Sequence, residues 1–245
     1  MLTECNPALS RKEAKSILKY EAVTVNGVIC RDPDRKIDTE TDVVERNGKP
    51  VRYIQNRYFL LHKPAGVLSA ANDKKQKTVV GLIPDIAGAD YYPVGRLDKD
   101  TEGLLLITND GDLTHNLLSP KKHVEKSYLA VCSGIISDDA CEPLRHGVDL
   151  GDFVSAPAKV CVVRHNSDTT VLGITITEGK FHQVKRMTEA IGSTVLQLKR
   201  LRMGGLCLPK DLAPGEYREL QKDILLQMLK EEFTQNEEQF YGSYL

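Results

Sequence analysis

Apolar positions recur along this chain at two spacings, and each change of spacing marks an element. Residues 8 to 20 repeat at helical spacing, with Ala14, Ile17 and Leu18 on one face and Arg11, Lys12, Lys15 and Lys19 on the other. Ser10, followed three residues later by Glu13, is a capping box that predicts the start of this helix. Val23-Thr24-Val25-Asn26-Gly27-Val28 alternates across an Asn-Gly turn, which predicts a hairpin. Further strands are predicted at 58–61, 104–107, 158–163, 171–176, 195–198 and 217–220. Helices are predicted near 79–83, from a cap at Asp112 to about Leu118, after Gly179 on Val184, Met187, Ala190 and Ile191, and over 221–233. The residues from Thr234 onward are polar and acidic and are expected to fray.

Asn47-Gly48-Lys49-Pro50 is a turn-rich break. It predicts a small module over 1–47, a linker over 48–56, a main domain over 57–234 and a polar tail over 235–245. A chain of 245 residues has room for one sizeable core and such an appended module.

Composition narrows the chemistry. Charged residues make up 27% and hydrophobic ones 41%, yet the formal net charge is only -1, so any nucleic-acid site must be a local patch. The six cysteines are scattered without a Cys-x-x-Cys pair, which argues against structural zinc and a disulfide framework and suits a reducing cytoplasm. His146 and His165 have no companions at metal-ligand spacing. No run approaches the ~20 apolar residues of a membrane span, and the N-terminal residues lack an apolar signal core. Neither a phosphate-cradling glycine loop nor a nicotinamide fingerprint occurs, so no cofactor and no metal are expected. A cytoplasmic monomer is the expectation.

The candidate chemistry lies in Gly95-Arg96-Leu97-Asp98-Lys99-Asp100-Thr101-Glu102-Gly103-Leu104-Leu105-Leu106. Asp98 falls in a loop between two glycines, just before a buried strand. By position alone it can be a residue that turns the backbone. The whole stretch, however, resembles the catalytic motif of the pseudouridine synthases, in the branch typified by the small-subunit rRNA enzyme. The resemblance makes Asp98 the catalytic carboxylate and gives Arg96 the space left when the target base flips out. Lys126-Ser127-Tyr128 resembles the second family motif, which implies that Tyr128 stacks on that base; by periodicity alone it is equally a core strand tyrosine. Glu178-Gly179-Lys180-Phe181-His182-Gln183-Val184-Lys185-Arg186-Met187 resembles the third, and implies that Lys185 pairs with Asp98 and favours its ionised form. Phe-His in that motif looks like the small-subunit form, where large-subunit relatives tend to show Asn-Arg.

Basic residues complete the list. Lys63-Pro64-Ala65-Gly66 resembles the family's Lys-Pro-x-Gly loop, although Pro64 and Gly66 also serve simply to end a strand and turn the chain. Lys63, Lys180 and Arg186 are candidate RNA contacts, and Lys199-Arg200-Leu201-Arg202 is a further stripe expected to face phosphate. Residues 10 to 44 resemble the S-four-type RNA-binding module, which implies RNA contacts from Arg11, Lys12 and Lys15. That segment lacks the module's first helical turn and carries Glu21-Ala22 where a Gly and a basic residue are usual. With nine basic and nine acidic residues in the first 50, an assisting contact is the expectation.

The resemblance implies an α+β fold: a mixed, mainly antiparallel sheet with flanking helices and a central cleft, plus the small module. It implies cofactor-free isomerisation of one uridine of 16S rRNA, position 516 in the family's usual naming, in RNA or in a small-subunit assembly intermediate. Two other readings stand beside it: a 23S rRNA enzyme of the same family, and a non-catalytic RNA-binding assembly factor.

Overall fold

The computed structural model describes residues 2, 9–39, 41–51, 56–86 and 90–245. The chain forms two compact units, one of Met1–Asn56 with Ile83–Tyr91 and one of Arg57–Leu82 with Tyr92–Leu245. That the segment 83–91 belongs with the smaller unit is not legible in the sequence pattern. Of the residues expected to be linker, Lys49 and Pro50 lie in a strand, and 52–55 fall outside the described residues.

In the smaller unit, helix α1 (Arg11–Tyr20) begins at the capping box: Glu13 N–H donates to Ser10 Oγ, and Ser10 N–H donates back to the Glu13 carboxylate. Strands β1 (Val23–Val25), β2 (Val28–Ile29), β3 (Val44–Arg46) and β4 (Lys49–Pro50) form an antiparallel sheet in the order β2-β1-β3-β4. Both of its tight turns are Asn-Gly pairs with positive φ at each residue, which matches the strand twist. Ile17 packs with Val23, Val25, Cys30 and Val44 as a small core. Glu21, the departure noted above, has a local use: its carboxylate accepts two hydrogen bonds from Arg46 at 2.6 and 2.7 Å and one from Asn47.

The larger unit is built on one sheet. It contains β5 (Tyr58–Lys63), β6 (Tyr92–Pro93), β7 (Glu102–Thr108), helix α2 (Gly111–Leu118), β8 (Lys126–Ser133), helix α3 (Glu142–His146), β9 (Lys159–His165), β10 (Thr169–Ile176), helix α4 (Gln183–Ala190), β11 (Val195–Met203), β12 (Leu206–Cys207), β13 (Tyr217–Leu220), helix α5 (Lys222–Lys230) and helix α6 (Glu237–Gly242). The strand order is β13-β5-β7-β11-β8-β10-β9, with β6 added on β7 and β12 on β11. Every pairing is antiparallel except β7 with β11. This is the α+β architecture, and the parallel seam joins the two halves of the sheet. Its close approach requires Gly103, because a Cβ there would stand 2.2 Å from the Arg200 carbonyl oxygen.

The structure corrects three expectations. Helix α2 is capped by Asp110, whose carboxylate accepts from Leu113 N–H at 2.9 Å, and not by Asp112. Of the basic stripe of β11, Lys199 is half-buried, but Arg200 and Arg202 are turned inward and cannot face phosphate. Arg200 and Arg202 are each 2% exposed: Arg200 donates to the Leu104 carbonyl, and Arg202 donates to Ser127, Gly204 and Glu125. The polar tail is folded, because α6 buries Phe240 and Tyr241, and Tyr241 shares a 2.7 Å hydrogen bond with Thr175. Gly173 of β10 leaves the space its ring occupies.

Candidate active site

The loop bearing Asp98 is held from below by its neighbours in the larger unit. Lys63 ends β5, is fully buried, and its ammonium donates to the carbonyls of Pro64, Lys99 and Thr101 at 2.7 to 3.1 Å. Gly66 N–H donates to the Lys99 carbonyl, and Ser69 brackets Leu97 by accepting from its N–H and donating to its carbonyl. Lys63 therefore does not reach RNA. It fixes the loop, and the Lys-Pro-x-Gly motif works here as a backbone clamp. Burial pushes the Lys63 ammonium down to about 8, against the pull of Asp100, Glu102 and Asp98.

Asp98 sits at one wall of a cleft, with its side chain 26% exposed. Lys185, on the first turns of α4, places its ammonium 3.1 Å from Asp98 Oδ2 and 2.7 Å from Asp100 Oδ1. Burial opposes the charge on Lys185, but the two carboxylates outweigh it and raise its pKa. The Lys185 hydrogen bond holds the Asp100 carboxyl below its ordinary value. His182 approaches from another side, Nε2 3.5 Å from Asp98 Oδ1. It opens α4 with left-handed backbone, φ 51 and ψ 28, a conformation uncommon outside glycine and asparagine and one that collects at functional sites.

Arg96, Leu97, Asp98, Thr101, Tyr128, Ile176, Lys180, His182, Val184, Lys185 and Leu198 line this one cleft. Tyr128 is 7% exposed on β8, in register with Ile174 and Arg200, so it is both a core tyrosine and a wall of the cleft. Ile176, Val184, Leu97 and Leu198 supply an apolar lining of the kind that accepts a planar heterocycle. The Thr101 hydroxyl is buried without a hydrogen-bond partner among the described residues, so it is available to a group bound there.

The basic candidates separate. Arg96 is exposed at the cleft. Lys180 is exposed with its ammonium 3.8 Å from the centre of the Phe153 ring, whereas Arg186 is committed to Asp152, the Leu150 carbonyl and the same ring. Arg11, Lys12 and Lys15 are exposed on α1 of the smaller unit. Sequence reasoning missed Asp100, Thr101 and His182. Asp100 had a readable signal, being a second carboxylate two residues after Asp98. The roles of Thr101 and His182 depend on contacts between distant segments.

A carboxylate faces a lysine ammonium over an apolar cleft with a tyrosine wall. Residues 57–190 match the model of the RNA pseudouridylate synthase family, and the chain belongs to that family, whose members are isomerases. It is 47% identical to an uncharacterised RNA pseudouridine synthase of Bacillus subtilis, over 88% of this chain and 91% of that one. It is 37% identical to ribosomal small subunit pseudouridine synthase A of Escherichia coli (88% and 92% covered) and 40% identical to ribosomal large subunit pseudouridine synthase B of Bacillus subtilis (86% of each). A crystal structure of a pseudouridylate synthase superposes with TM-score 0.63 at 30% identity, covering 93% of this chain and 97% of that chain.

Proposed function

We propose that this enzyme isomerises one uridine of 16S rRNA, at the position named 516 in the family, with Asp98 as the reacting carboxylate and no cofactor. The observation that supports this most is the meeting of Asp98, Tyr128 and Lys185, from three separate segments, around one cleft. The base must leave its stack to enter, at a cost of a few kcal/mol, and Arg96 stands where it can take the vacated space. Asp98 then adds to the sugar or removes a proton from it, with the Lys185 ammonium 3.1 Å from its carboxylate. The bond from ring nitrogen 1 to the anomeric carbon breaks. Uracil turns between Tyr128 and the apolar lining, and carbon 5 bonds to the anomeric carbon as the Asp98 oxygen leaves it or, on the second route, as Asp98 returns the proton to the sugar carbon it came from. Carbon 5 gives up its proton and nitrogen 1 carries one, so nothing is oxidised or reduced.

We read residues 1–47 as an S-four-type module in which Arg11, Lys12 and Lys15 give an assisting phosphate contact, with Arg96 and Lys180 as the contacts of the larger unit. The protein acts as a monomer, in the cytoplasm, on 16S rRNA or a small-subunit assembly intermediate. Phe181-His182 favours the small subunit. The 40% identity to a large-subunit enzyme supports a 23S target as the second reading. The deciding experiment maps pseudouridine, by chemical adduct and primer-extension stop, on both rRNAs after incubation with purified enzyme. A single new stop in 16S rRNA is expected. A stop in 23S rRNA alone overturns the small-subunit assignment, and silence on both with tight RNA binding favours an assembly factor.

A further inference from the structure

Phe181 has no part in the proposed chemistry. It is 70% exposed, and among the described residues of the larger unit no other phenylalanine or tyrosine is so open. It is not loose: its ring lies flat on His182, centroids 3.8 Å apart and planes 16° from parallel. His182 is in turn fixed by the turn it closes. Gln183 N–H donates to the Lys180 carbonyl, Lys180 N–H donates to the Gln183 side-chain oxygen, and the Gln183 amide donates to Glu178 at 2.6 Å. The left-handed backbone at His182 turns the two rings together. One face of the pair is therefore closed by an imidazole that reaches the Asp98 carboxylate, and the other is an open, pre-oriented aromatic face.

We propose that the outer face of Phe181 is a second base-binding subsite, which stacks the unpaired nucleobase next to the target uridine while that uridine occupies the cleft. The inference rests on the RNA pseudouridine synthase reading of the site and adds a contact to it. Stacking needs a flat ring held at a fixed angle and accepts any base, because every base presents a π-face. The ordering cost of the Phe181 ring is already met in the free protein, which favours affinity. Lys180, beside Phe181 in the chain, is exposed and offers a cation to the phosphate of the stacked nucleotide. Phe181 is separated from the reacting carboxylate by one stacked ring, that of His182. It takes no part in the chemistry; it is a positioning residue for substrate.

The test compares wild type, Phe181→Ala and Phe181→Trp on partly assembled small subunits. It also uses a stem-loop RNA carrying the target uridine with 2-aminopurine as its neighbour. The alanine variant is expected to raise KM by roughly 5- to 150-fold, the range of one base stack, with kcat within about threefold. Tryptophan restores KM, and the quenching of 2-aminopurine seen with wild type and Phe181→Trp is absent with alanine. An alanine variant with wild-type KM and quenching overturns the inference, as does a loss confined to kcat, which would mean that Phe181 acts through His182. Wild type inactive on both 16S and 23S rRNA is a different failure, because it overturns the reading of the site on which the subsite rests.

Discussion

The Lys185 ammonium lies closer to Asp100, at 2.7 and 2.9 Å from its two oxygens, than to Asp98, at 3.1 Å. Asp100 is 73% exposed, so its half of the arrangement is a solvated ion pair of small net worth. Asp98 shares a cleft with the same cation at lower exposure, where the charge pairing acts more strongly. Replacing Asp100 by Asn should thus leave the rate within about threefold, whereas Lys185→Met should lower it about 100-fold. Release of tritium from carbon 5 of labelled uridine, under single-turnover conditions, measures both. Equal losses in the two variants would make Asp100 part of the reacting group.

Asp98→Asn removes the reacting carboxylate of the proposed first step. The expected loss is about three orders of magnitude or more, with RNA affinity retained. The fold should tolerate the change, because Lys185 keeps Asp100 and the loop is held by Lys63 and Ser69 through its backbone. A variant that still forms pseudouridine at the wild-type rate would remove Asp98 from the mechanism.

Gly103 is required on two counts: its φ is +108°, and any Cβ would overlap the Arg200 carbonyl. Gly103→Ala should cost about 2–4 kcal/mol of stability. It should also cut activity, since the seam it disturbs begins where the Asp98 loop ends. Denaturant titration and the tritium assay report the two effects.

Asp110 caps α2, accepts a 2.6 Å hydrogen bond from the buried Tyr58 hydroxyl and faces Lys222. Burial works against its charge, but these partners outweigh it and hold its pKa below 3.8. With the folded value depressed, its contribution is present above the unfolded value and is lost as pH falls through the folded one. Asp110→Ala should cost about 1–3 kcal/mol at pH 7. The difference from wild type should shrink as pH drops below about 4, as seen in denaturant midpoints at pH 7 and pH 3.

Removing residues 235–245 deletes Phe240, Tyr241 and the Tyr244 hydroxyl that donates to the Leu208 carbonyl. Even Tyr241→Ala alone should destabilise by about 3–5 kcal/mol, the usual cost of emptying a buried aromatic site. An unchanged melting temperature after the deletion would return this segment to the status of a tail.

The sequence by itself determined the local elements and pointed to the candidate site residues. Ser10 with Glu13, the two Asn-Gly turns and the apolar run at 104–107 act within a few residues, so their outcome is readable from spacing. Asp98, Tyr128 and Lys185 were readable because their motifs carry their surroundings with them. What tertiary structure decided was the use of each polar side chain whose partner is far along the chain. Lys63 and Arg202 look like surface cations in sequence, yet carbonyls and a carboxylate from distant segments make their burial favourable. The aromatic residues of α6 read as part of a polar tail until Gly173 and Thr175 provide the surface that buries them. The same holds for Phe181, whose exposure and pairing with His182 exist only once the turn before α4 has closed. Charge and polarity are properties of a residue, but burial and partnership are properties of the fold.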